Sequence, residues 1–206
     1  MKRVILTCAL LALLLTGCGA KGTNGDPAAQ SQPPAAEPAA PADGQSPAAE
    51  PHRAERTVLE ISVEGETEEV PAVLFAGQGY SLYIPEEGWR HEKDMDDGVA
   101  EDIWESTVND EVELEVSRYP AAANAALADV KAGFAKACGY VFEDLMGGDL
   151  GDPLTGMDED GDFLSFMAAQ SADGAVTVIS WEYPAKAAEG FGARLTQIAN
   201  TFELTE

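Results

Sequence analysis

The sequence predicts an α+β domain, an antiparallel sheet with helices packed on it, preceded by a disordered tether. Three observations predict it. Apolar and polar residues alternate with a period of two in segments between residues 59 and 116. They recur every three or four residues in two later segments, so the order is strands, helix, strands, helix. Ahead of these, from Gly19 to about Glu55, the composition is Ala, Pro, Gln, Ser and Gly with almost no large apolar side chain.

Leu59, Ile61 and Val63 alternate with Glu60, Ser62 and Glu64, which reads as a half-buried strand. Val70 to Phe75 is a second strand. Gln78-Gly79 then turns the chain into Tyr80-Ser81-Leu82-Tyr83-Ile84, which Pro85 ends. Asp97-Gly98 is a hairpin signal ahead of a strand from Asp102 to Val108, with Trp104, Ser106 and Val108 on one face. Val112, Leu114 and Val116 alternate with Glu111, Glu113 and Glu115, so this strand is expected to show an acidic ladder to water. After Pro120, the stripe Leu127, Val130, Phe134, Cys138 predicts a helix over 121–137 that stops at Gly139. Cys138 lies on that stripe, so it reads as a buried small hydrophobe rather than a nucleophile. Phe163 to Gln170 and Ala175 to Tyr183 are apolar at consecutive positions, the pattern of central strands covered on both faces; Ser171-Ala172-Asp173-Gly174 joins them. A closing helix from about Ala185 places Phe191, Leu195, Ile198 and Phe202 on one stripe.

The start of the chain carries an address. Lys2 and Arg3 precede an apolar run from Val4 to Leu15, too short for a stable membrane span, and Leu15-Thr16-Gly17-Cys18 follows. That tetrapeptide resembles the lipobox of bacterial lipoproteins. The resemblance implies a signal peptide over 1–17, removal of that peptide, and diacylglycerol and palmitate-type acylation of Cys18. It thus implies membrane attachment at the extracytoplasmic face. A plain signal peptide with an accidental thiol at Cys18, or an uncleaved anchor, are the other readings of the same segment. Since more than one acyl chain is needed for stable anchoring, a lipoprotein anchor with at least two suffices. With Cys8 removed and Cys18 acylated, Cys138 is the one thiol expected in the mature domain, so no intramolecular disulfide is expected. Residues 18–55, the lipidated cysteine and its Ala/Pro-rich linker, are a spacer whose roughly thirty-five residues reach on the order of 100 Å when extended. Residues 56–206 form one acidic domain.

The chain carries 37 Asp and Glu against 12 Lys and Arg, a net charge of −25. Four of the bases, Lys2, Arg3, Lys21 and Arg53, precede the domain. Nucleic acid and anionic lipid headgroups are therefore poor partners, because phosphate binding needs clustered bases; cations, basic proteins and water remain, and no nucleic acid partner is expected. No glycine run leads to Lys-Ser or Lys-Thr, and Gly77-Gln78-Gly79 opens a strand, so neither a P-loop nor a dinucleotide fingerprint is present. The two histidines are His52, in the tether, and His91, whose neighbours Arg90, Glu92, Lys93 and Asp94 make it read as a solvated surface residue. Metal candidates are Asp158, Asp160 and Asp162, in a run resembling a calcium loop. Aligning Gly161 with the loop's glycine puts Gly156 and Met167 at the terminal ligand positions, so a turn leading into the Phe163 strand is the preferred reading. Residues 147–153, rich in glycine, are a loop first and a binding loop second.

Gly79-Tyr80-Ser81-Leu82-Tyr83-Ile84-Pro85 with Trp89 after it, a middle helix, two long hairpin strands and a closing helix ending in Ile198-Ala199-Asn200-Thr201-Phe202 resemble the PsbP/Mog1-like fold across most of residues 70–204. The resemblance implies an α/β/α sandwich and a non-catalytic accessory or binding role, and it carries over no site residues. The expectation is a protein-interaction or accessory domain with no cofactor, meeting an envelope protein partner. Tyr83, Trp89 and Tyr119 are the aromatic candidates for contact. The alternative is a receptor for a small ligand or a cation such as calcium.

Overall fold

A computed structural model describes residues 53–96, 98–121, 126–143 and 147–205. The strands are β1 Arg56–Val63, β2 Glu66–Gly77, β3 Tyr80–Pro85, β4 Trp89–Asp96, β5 Val99–Ser106, β6 Glu113–Tyr119, β7 Leu154–Met157, β8 Phe163–Gln170, β9 Val176–Tyr183 and β10 Glu203–Leu204. Helix α1 is Leu127–Ala137, and α2, Ala188–Ala199, follows a single 3₁₀ turn at Ala185–Ala187. Among the described residues no helix is long and apolar enough to cross a membrane.

The antiparallel pairing is as expected, but the strands divide into two sheets rather than one. A four-stranded sheet has the order β1-β2-β3-β10, and a six-stranded sheet the order β4-β5-β6-β9-β8-β7. The break falls after Pro85, where Glu86 to Gly88 separate β3 from β4 and Gly88 takes a φ of +90°. A proline lacking a ladder N–H suits a strand end.

Two cores lie on opposite faces of the six-stranded sheet. The first gathers Tyr80, Leu82 and Ile84 of β3, Trp104, Leu114, Val116, Met167, Ile179 and Trp181 of the larger sheet, Leu195 and Ile198 of α2, and Phe202. The second packs Phe134, Ala135 and Cys138 against Leu164, Phe166, Ala168, Val176 and Val178. Strands β8 and β9 feed both cores because neighbouring residues point to opposite faces. Their unbroken apolar runs are thereby explained.

Several boundaries moved. The Asp102–Val108 strand is Val99–Ser106: Ser106 Oγ accepts from the N–H groups of Val108 and Asn109, each at 3.3 Å, and turns the chain, which leaves Val108 76% exposed. The first helix begins at Leu127, with residues 122–125 outside the described set, and Gly139 at a φ of +80° follows its end as expected. Phe202 is buried, but it lies beyond α2. Strand β4, with sequence Trp-Arg-His-Glu-Lys-Asp-Met-Asp, has no apolar alternation and is held in place by its antiparallel pairing with β5, from Trp89 opposite Ser106 to Asp96 opposite Val99.

Candidate functional site

The residues singled out in the sequence do not converge. Cys18 lies outside the described residues. Asp158 Oδ1 accepts from the backbone N–H of Asp160 at 3.0 Å and of Asp162 at 2.8 Å, while Asp158 N–H bonds Asp162 O at 3.0 Å. Asp162 Oδ1 accepts from Ala185 N–H at 3.2 Å. Two of the three carboxylates therefore brace the turn before β8, and among the described residues no three His, Cys, Asp or Glu side chains gather as metal ligands. The aromatic candidates are dispersed. Tyr83 lies under the Arg53 guanidinium at 4.4 Å, Trp89 packs on the first core and Tyr119 on the second.

His91 is exposed, as its sequence neighbours suggest, but it is not without partners. Its ring stacks on Trp104 at 4.8 Å between centroids and meets Phe75 edge-on at 4.8 Å, and Nε2 is 2.8 Å from Asp102 Oδ1. Asp102, almost fully buried, also accepts from Tyr80 Oη at 2.6 Å and has Lys93 Nζ at 3.3 Å. Burial, reinforced by the hydrogen bond to Asp102, holds the Tyr80 hydroxyl far above its ordinary pKa, so it stays a donor. Gly77, opposite Tyr80, makes room for that ring: a Cβ there would lie 2.2 Å from Tyr80 Cζ. The histidine is thus part of a tie between the two sheets. Sequence neighbours could not show this, because alternate residues of β4 face opposite ways.

The feature that sequence reasoning under-read is the second face of the larger sheet. Helix α1 packs there against β8 and β9. Toward β4 the same face carries carboxylates in cross-strand rows. One row is Arg90, Glu105, Glu113, Glu182 and Leu164; the next is Glu92, Ile103, Glu115, Ser180 and Phe166; the third holds Asp94, Glu101, Ser117 and Val178. Arg90 pairs with Glu105 and with Glu92. No ion pair reaches Glu101, Glu113, Glu115 or Glu182 from the described residues.

The expected water-facing ladder is therefore only half right: Glu113 and Glu115 are partly buried. Burial first, then repulsion from Glu115, Glu182, Glu101 and Glu92, raises the Glu113 pKa to about 7. Burial, then Glu115, Asp96 and Asp94, does the same for Glu101, also to about 7. Burial also raises Glu115, against the opposing hydrogen bond from Ser117, and raises Glu182, against that from Tyr140. Among the described residues these four acids share a face without an ion-pair partner, an arrangement that costs stability near neutral pH. The run Glu111-Val112-Glu113-Leu114-Glu115 signalled the face. Its depth depended on β9 placing Glu182 directly opposite Glu113.

No protein-family profile and no curated protein matches this chain. Among solved structures it is similar to cyanobacterial PsbP (CyanoP) from Synechocystis sp. PCC 6803, at 14% identity over 65% of this chain and 92% of that one, with a TM-score of 0.49. It is also similar to a protein from Bacteroides thetaiotaomicron VPI-5482, at 14% identity over 65% of this chain and 48% of that one, with a TM-score of 0.37.

Proposed function

We propose that this chain is a bacterial lipoprotein, lipidated at Cys18 and held at the extracytoplasmic face of the cell membrane. Residues 18–55 serve as its spacer, and the domain is a non-catalytic, PsbP-like protein-interaction or accessory module. The observation that carries the address is Leu15-Thr16-Gly17-Cys18 behind a basic start and a short apolar run. The module reading is supported by how the titratable side chains are used. His91 and Asp102 tie the sheets together, Asp158 braces a turn, and a broad sheet face carries Glu101, Glu113, Glu115 and Glu182, which no ion pair reaches from the described residues. Mass spectrometry of the N-terminal peptide from membranes tests the address. A diacylated, N-terminal Cys18 supports it, and an unmodified Cys18 or an intact residue 1–17 segment in the mature protein overturns it. Affinity capture from a cross-linked envelope extract, with the full mature chain as bait and an acidic protein of equal charge as control, tests the module. A partner enriched over the control supports the reading, and an empty eluate removes it.

A further inference from the structure

The six-stranded sheet has one face only partly clothed by helix. Where α1 packs, the face is apolar; toward β4 it is acidic, with Ile103 set among Glu92, Glu101, Glu105 and Glu115. Neighbouring side chains within a row stand about 4.8 Å apart and successive rows about 7 Å apart, which makes this a broad surface rather than a pocket for a single ion. Like charges directly opposite one another across a sheet are destabilising, so Glu113 facing Glu182 lowers stability unless something neutralises both. We propose that this face docks a segment of a partner protein that carries lysine or arginine side chains, laid across β5, β6 and β9 with an apolar residue over Ile103. The proposal rests on the interaction-module reading and names the surface and its partner's chemistry. Charge complementarity carries it, since within the described residues Arg90 alone among basic side chains forms an ion pair on these rows, at their β4 end. The raised proton affinities of Glu101 and Glu113 support it: a bound base releases protons from this face, so binding tightens as pH rises through about 7.

The test is fluorescence anisotropy of a labelled ten-residue peptide alternating lysine and leucine, bound to the full mature chain at low salt and pH 8. Two triple variants each remove three charges: E101Q/E113Q/E182Q on the face, and E64Q/E66Q/E69Q on exposed positions of the β1–β2 hairpin. Relieving repulsion raises the melting temperature of the face variant, so unfolding does not explain a loss of binding. The expected result is a face variant weakened about tenfold or more and a hairpin variant within about twofold of the parent. Equal weakening of both, an unaffected face variant, or no binding by the parent overturns the proposal. A captured partner that still binds the face variant also overturns it while leaving the module reading intact.

Discussion

Glu113 offers a quantitative prediction about pH. Its pKa, raised to about 7 in the fold, sits well above the 4.5 of a free glutamate. The folded state therefore holds this proton more tightly than the unfolded chain. Stability is greatest below about pH 4.5 as far as this group is concerned, falls as pH rises between the two pKa values, and is flat above about 7. Each pKa unit is worth about 1.4 kcal/mol, so a difference near 2.5 units sets an upper figure of about 3 kcal/mol, of which roughly 1–3 is expected once solvent exposure is allowed for. For a domain of about 150 residues, a kcal/mol moves Tm by about 2–4 °C, so this group alone should make the parent melt roughly 3–10 °C higher at pH 5 than at pH 8. Glu113→Gln should remove much of that slope, raising Tm at pH 8 and leaving it nearly unchanged at pH 5. Glu66→Gln, on the exposed end of β2, serves as the charge control. A parent Tm that rises with pH, or an E113Q curve parallel to the parent, refutes the reasoning.

Other predictions follow from single contacts. Tyr80→Phe leaves Asp102 without its 2.6 Å donor and should cost about 1–3 kcal/mol in urea unfolding; an unchanged midpoint refutes the tie. Gly77→Ala sets a methyl against the Tyr80 ring and should destabilise by about 1–3 kcal/mol, an effect that Tyr80→Ala in the same chain should largely remove. Phe166→Ala, at 0% exposure between Phe134 and Phe142, should cost about 3–5 kcal/mol and lower Tm by roughly 10 °C, readable by calorimetry. Asp158→Ala removes the acceptor of two backbone N–H groups and should lower stability by about 1 kcal/mol with or without added calcium; a calcium-dependent difference overturns the turn assignment.

Residue order dictates most of the elements that contribute regular apolar faces. Leu114 and Val116 alternate into the first core, Phe134 and Cys138 stripe a helix, and the unbroken apolar runs of β8 and β9 announce cover on both sides. It also determined the Asp160-Gly161 turn, because the Asx hydrogen bonds of Asp158 are local. Features that depend on partners distant in sequence arise only with the fold. Charged β4 is a strand because β5 pairs with it. His91 meets Asp102, eleven residues away, only across that pairing. The strands make two sheets because the chain changes course after Pro85. The acidic face acquired its character when β9 brought Glu182 opposite Glu113 and burial withheld water from both. Periodicity records which way a side chain points, whereas what it meets there is set by strand order, and strand order is a property of the folded chain as a whole.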